Sequence, residues 1–261
     1  MPNLMPTLFI SHGAPSLALE KNNPTADFLR GIAANLPKPK AIVVASAHWE
    51  TDSLMVNGAN RPRTIHDFRG FPKELYQVYY DAPGEPKLAG RIKKLLDDAG
   101  LKAGIDPGRG FDHGVWSPLM LIYPQADIPI VEISIQPNQD ARWHYQIGEA
   151  LSPLRQEEIL VIGTGNLTHN LREAMSGNHA KAPTWVTNFS EWIAAKVAEG
   201  DIESLVEWQK LAPHSKENHP TPDHFLPFFV ALGAAGKPLK AKRLYNEIAM
   251  GVLAMDAYEF G

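Results

Sequence analysis

The sequence predicts an α/β fold: a single domain over residues 1–261 with a central, largely parallel or mixed sheet flanked by helices. Three observations carry this. Apolar runs of strand length at 7–10, 41–46, 128–135 and 159–162 alternate with helix-like segments, the pattern of a layered fold around parallel strands. The helix-like segments carry recognisable ends, such as Asn23-Pro24, Asp140, Gly100 and Gly200. With 261 residues and 44% hydrophobic content, the chain can bury one large core.

Taken in order, TLFI at 7–10 is the first strand, and it runs into His12 and Gly13. Asn23-Pro24 then reads as an N-cap followed by proline at the first helical position, with Pro37 beyond the far end. AIVVAS at 41–46 is a strand leading to His48. The stretches 57–74 and 102–117 are rich in glycine, proline, arginine and histidine without a clear period, and are expected to wall a site. Between them, 86–99 is a helix stopping at Gly100. Ser117-Pro118 is expected to open the next helix, 128–135 to form a strand, and Asp140 to cap another helix. ILVI at 159–162 is a strand leading through Gly163 and Gly165 to His169. Segment 183–199 is a helix stopping at Gly200. NHPTPDHFLP at 218–227 is a proline-rich turn before an apolar helix ending near Gly233 or Gly236, and LAMDAYEF at 253–260 alternates as a late strand.

Composition excludes several functions. A net charge of −4 with dispersed lysine and arginine offers no basic patch for nucleic acid or an anionic membrane. No apolar run approaches the ~18 residues of a spanning helix. The chain has no cysteine, so a thiolate metal site, a disulfide framework and a cysteine nucleophile are excluded, and a cytoplasmic location is expected. A small-molecule partner and a monomer or small homo-oligomer are the expectation.

Ligands of open parallel sheets collect outside the carboxyl ends of the strands, and His12, His48 and His169 all fall there. Any one of them alone is more simply a satisfied loop residue. Three at equivalent positions, if their strands are neighbours, make a cluster of lone-pair nitrogens that a divalent metal would satisfy. From spacing alone, His224 serves equally well as a ligand at an irregular helix entrance or as that helix's cap. Asp112 and His113 lie between glycines in a turn that is functional or merely a surface feature. His66 reads as a solvated loop residue, and His144, His179 and His214 as exposed structural residues.

Several blocks in one order are more specific than any of these features. LFISHGAPS, IVVASAHWE, TIHDFRGFPKELYQVYYDAPG, GFDHGVWSPL, MLIYPQADIPIVEISI, VIGTGNLTHNLRE and NHPTPDHFLPFFVALGAAG together resemble the 4,5-DOPA extradiol dioxygenases, relatives of the catalytic subunit of protocatechuate 4,5-dioxygenase. The resemblance implies a class III extradiol fold and metal ligation by His12, His48 and His224. It also implies His169 as acid/base and, less directly, His113 facing the substrate. The implied reaction is cleavage of a DOPA-like catechol by O2 to a muconic semialdehyde, with Fe(II) for turnover. Protocatechuate-type relatives use two histidines and a glutamate, whereas this chain offers His224 beside Asp223; an all-histidine set also suits Zn2+, the ion expected in purified protein. Two alternatives stand beside this one. A zinc hydrolase would use the same ligands to activate water, and a non-catalytic metal or aromatic-ligand binding protein would close the site with His169 as fourth ligand.

Overall fold

The computed structural model describes residues 4–177 and 181–261. Ten strands are present among them: β1 (Thr7–Ser11), β2 (Ala41–Glu50), β3 (Met55–Asn57), β4 (Gly104–Asp106), β5 (Ile130–Ile135), β6 (Ile159–Gly165), β7 (Ala241–Tyr245), β8 (Ile248–Ala249), β9 (Leu253–Ala254) and β10 (Ala257–Phe260). Eight of them form one sheet in the order β4-β3-β5-β2-β6-β1-β10-β7. The centre, β5-β2-β6-β1, is parallel, whereas β3 against β5, β10 against β1 and β7 against β10 are antiparallel. The sheet is therefore mixed, with its parallel part where the apolar runs lie.

Helices cover both faces, so the central strands are buried on both sides; β5 carries polar residues, Glu132 and Ser134, on one of them. On one face Leu8, Ile10, Ile42, Val44, Leu160 and Ile162 pack with α1 (Pro24–Ile32) and, beyond α2 (Pro86–Asp98) in the sequence, with α3 (His113–Ile122). On the other, Val43, Ala45, Val161 and Ile133 pack with α2 and α4 (Ala141–Leu151). The helices α5 (Leu171–Ser176), α6 (Thr184–Glu199), α7 (Ile202–Val206), α8 (Trp208–Leu211), α9 (Ser215–Asn218) and α10 (Leu226–Ala234) complete the chain before β7. Phe9, on the α4 face of β1, meets Phe228 of α10 edge-on at 5.2 Å. α10 is buried along its whole length.

Several local signals hold. The Asn23 side chain accepts from the Thr25 and Ala26 N–H groups, and Asp140 accepts from Trp143 N–H. Gly100 and Gly200 follow their helices at φ +82° and +68°. Others are corrected. The helix expected to open at Ser117-Pro118 opens at His113, with Asp112 at its N-cap and Pro118 inside it. The bridge between Thr64 and Phe111 fixes the chain's direction just before Asp112, and burial on all sides holds the helix despite the proline. The tail is broken at Met255–Asp256, where the Met255 N–H bonds to the Glu247 carbonyl, so β9 and β10 belong to different sheets.

His144 is not exposed: it is fully buried, one turn into α4 on the stripe of Ala141, Tyr145, Gly148 and Leu151. Its Nδ1 bonds the Asp140 carbonyl and its Nε2 accepts from Gln136 N–H, so its role is structural. His214 is exposed, as expected. His179 lies outside the described residues.

Candidate metal centre

The strand order places β2, β6 and β1 side by side, so the residues that follow them converge. His12 leaves β1 with its N–H on the Gly165 carbonyl of β6. His48 sits near the end of β2, beyond a register shift after Ala45. His169 follows β6 after a short loop whose backbone is tied to a distant segment: Asn166 N–H donates to the His224 carbonyl and His169 N–H to the Asn218 carbonyl, both at 2.9 Å. Those bonds bring the proline-rich turn onto the sheet. The approach requires glycine, since a Cβ at Gly165 would stand 2.0 Å from the His224 carbonyl oxygen and one at Gly163 2.0 Å from that of Pro227. α10 opens at Leu226, with Pro227 in its first turn, which leaves His224 in the irregular entrance.

Five imidazoles meet in this way. His12 Nε2 faces His48 Nε2 at 3.0 Å. Ring centroids of His48 and His113 are 3.8 Å apart, those of His48 and His224 4.9 Å, and those of His12 and His224 5.5 Å. His169 lies flat on His224, 3.4 Å between centroids and 10° between planes. Two groups have ligand atoms close enough to hold an ion: His12, His48 and His113, and His169, Asp223 and His224. His219 is set apart, buried against Phe225 with its Nε2 on the Leu167 carbonyl, and is structural.

Burial is the first cause of the cluster's electrostatics. It lowers His12 well below the usual imidazole value, helped by His48 and His113, and lowers His224 likewise, helped by His169. His48 falls to about 4 through burial and His113, and His169 to about 4 through burial, against the opposing pull of Asp223. Neutral imidazoles with free lone pairs are the form in which histidine binds a metal. His224 Nδ1 is held by Asp223 Oδ2, and Asp67 Oδ2 reaches His113 Nδ1 at 2.8 Å and lies 3.4 Å from His48 Nδ1. Imidazoles backed by carboxylates are the usual arrangement around a metal, so the donor set fits one. Burial would raise Asp67, but the His113 hydrogen bond and the neighbouring imidazoles outweigh it and hold the carboxyl at about 2.

Beneath His48, Ser46 Oγ accepts its N–H and donates to Asp112 Oδ1 at 2.7 Å. Asp112 pairs with Arg109, whose guanidinium lies 5.0 Å over the Trp49 ring. Glu132, fully buried beside them, is raised well above the usual carboxylate range by burial and by Asp112.

The cluster opens on a cavity of about 510 Å³ lined by His12, His48, His113, His169 and His224 and walled by apolar side chains. Phe68 and Phe71 come from the irregular 57–74 stretch, as expected of it, while Leu171, Met175, Met250 and Leu253 complete the wall. The sequence reading passed over Asp67, Asn166 and these last four. Asp67 had a signal, a carboxylate beside a histidine in an aperiodic stretch; the apolar four had none, because α5 and the β8–β9 turn reach the site only through the fold.

A cluster of buried histidines beyond parallel strands, facing a cavity walled by aromatic and apolar side chains, is the kind of site that fits a metalloenzyme acting on a small apolar molecule. Comparison with known proteins is specific. The family described as the catalytic LigB subunit of aromatic ring-opening dioxygenase matches residues 6–255. The 4,5-DOPA dioxygenase extradiol of Beta vulgaris is 43% identical, over 99% of this chain and 97% of that protein. The one from Escherichia coli K12 is 40% identical, over 98% and 95%. An uncharacterized E. coli K12 protein of known crystal structure superposes with a TM-score of 0.83 at 34% identity, over 98% and 100% of the two chains. The chain belongs to the LigB family and is a metal-dependent, catechol ring-cleaving dioxygenase. That membership favours ring cleavage over the hydrolase and binding-protein alternatives. No helix among the described residues is long and apolar enough to cross a membrane.

Proposed function

We propose that the whole chain, 1–261, acts as one catalytic domain that cleaves a DOPA-like catechol with O2. In this reading His12, His48 and His224 hold the metal, and His169 and His113 serve the substrate. The carrying observation is the convergence of these histidines, with His12 and His48 held neutral by burial, at the foot of a cavity walled by Phe68, Phe71 and Leu253. His224 is taken as third ligand on the family resemblance; Asp223 orients it, as carboxylates orient ligating histidines, and it lies near both His12 and His48. His113 is the geometric rival, and the choice is tested below.

A bound redox-active metal such as Fe(II) would supply attachment for both catechol oxygens and for O2 and would acidify the phenol. The chain's residues do the rest. His169, neutral near pH 7, accepts the phenolic proton at a ring nitrogen and returns it later. Its stacking on His224 holds that nitrogen next to the metal ligands. Phe68 and Phe71 offer edges and faces to the catechol ring, Leu253 adds a buried apolar wall, and the exposed Leu171, Met175 and Met250 line the rest of the cavity. Support for DOPA comes from relatives of that name.

An all-histidine site binds Zn2+ as readily as Fe(II), and affinity generally rises from Fe(II) to Zn2+, so purification in air is expected to yield the inert zinc form. The test is reconstitution. Metal-free protein given Fe(II) anaerobically, then DOPA or a simpler catechol with O2, should consume oxygen and develop a yellow ring-fission product; the zinc form should do neither. An iron form that consumes no oxygen across a panel of catechols would sink this reading.

A further inference from the structure

The N-terminus of α3 is capped by a residue that is not its own. Asp112 occupies the N-cap position but makes no cap, since Oδ1 accepts from Ser46 Oγ and Oδ2 meets Arg109. The open N–H of His113 is taken instead by Asp67 Oδ1, at 2.9 Å. Asp67 is brought there by pairing between the two aperiodic stretches: Ile65 N–H bonds the Phe111 carbonyl, Phe111 N–H bonds the Arg63 carbonyl, and Trp116 Nε1 bonds the Ile65 carbonyl. A Cβ at Gly110 would stand 2.3 Å from the Arg63 carbonyl oxygen, so that pairing depends on glycine.

A cap would need only that one bond. The other oxygen of Asp67 also grips the ring of the same residue, 2.8 Å from His113 Nδ1. A carboxylate only accepts, so Nδ1 must carry a hydrogen; where the imidazole carries a single proton, Nε2 is left with a bare lone pair. His113 lines the cavity, and with Nδ1 committed to Asp67, Nε2 is the nitrogen left for a ligand.

We propose that Asp67 is a positioning residue that fixes His113 in the Nδ1–H tautomer, so that Nε2 meets the bound substrate as a proton acceptor. The inference deepens the ring-cleavage reading and rests on His113 facing the substrate. Asp67 holds His113 at 2.8 Å but approaches His48 Nδ1 only to 3.4 Å, so removing its charge is expected to act on His113 more than on the ligand His48.

The decisive measurement is the histidine tautomer in metal-free protein labelled with 15N-histidine, near neutral pH, with His113 assigned by its absence in His113→Gln. Long-range 1H–15N spectra should show a protonated Nδ1 and an unprotonated Nε2. Asp67→Asn keeps an oxygen for the His113 N–H, and so the cap, but turns an NH2 donor towards Nδ1 and should invert the tautomer. Its iron form should lose roughly 10- to 100-fold in kcat, the range typical of such outer partners, with metal content, melting temperature and KM held. An Nε2–H tautomer in the unmodified protein overturns the proposal, whatever the variant does, and decides alone if Asp67→Asn does not fold. So does an Asp67→Asn protein that keeps either the Nδ1–H tautomer or the original kcat. If the iron-loaded wild type cleaves no catechol, the ring-cleavage reading fails instead, and the spectrum still reports on Asp67.

Discussion

Two stacked imidazoles, His169 and His224, are backed differently. Asp223 holds the Nδ1 of His224, whereas His169 is anchored through its backbone N–H to Asn218. A ligand must be fixed in orientation, and a proton carrier must have a free nitrogen at the substrate. His224→Ala is therefore expected to remove most bound metal, measured by elemental analysis, while His113→Ala keeps it; the reverse result would exchange their roles. His169→Gln should retain the metal and lose about 10²- to 10⁴-fold in turnover, the usual contribution of a general acid–base group. Metal lost in step with activity would make His169 a ligand.

At the level of elements, the site depends on how closely the entrance of α10 lies on β6. No side chain fits between Gly165 and the His224 carbonyl, so Gly165→Ala must push the turn off the strand. Overpacking of this kind costs about 1–3 kcal/mol, and here the displaced residue is a proposed metal ligand. We expect Gly165→Ala to lower both the melting temperature and the metal content. Asn23→Ala offers the contrast: it removes the cap of α1, should cost about 1 kcal/mol by denaturant titration, and should leave the metal content unchanged. Equal metal loss in both variants would mean that general destabilisation, not the β6–α10 contact, empties the site.

Over the whole molecule, the buried neutral histidines make stability depend on pH. Burial lowers His144 to about 4 and His219 to about 3, alongside His48 and His169 at about 4. An unfolded chain protonates these residues near 6.5, so between there and about 4 it binds more protons than the native state. The contribution is complete above pH 6.5 and is lost as pH falls towards 4. A shift of this size corresponds to roughly 3 kcal/mol for His144. Chemical denaturation at pH 7 and pH 5 should show a steep acid loss, and His144→Gln, which can still accept from Gln136 N–H, should flatten it. An unchanged slope in that variant would mean that His144 titrates normally.

The central strands, most helix ends and the candidacy of the strand-end histidines were legible in the sequence, because apolar runs, caps and glycines report on the chain's immediate surroundings. The family blocks in it carried the rest of the histidine assignment. Only the tertiary structure decided that β2, β6 and β1 are neighbours, since strand order is a choice among long-range pairings that no local pattern encodes. The start of α3 was misread for the same reason: Ser117-Pro118 is a good local opening signal, but pairing with the 63–65 backbone sets the helix at His113. His144 read as exposed because a polar side chain on a helix gives no sign of the buried amide waiting for it. Asp67 joins the site only because two aperiodic stretches pair with each other, and without periodicity a sequence holds no record of which side of such a pairing faces the cavity.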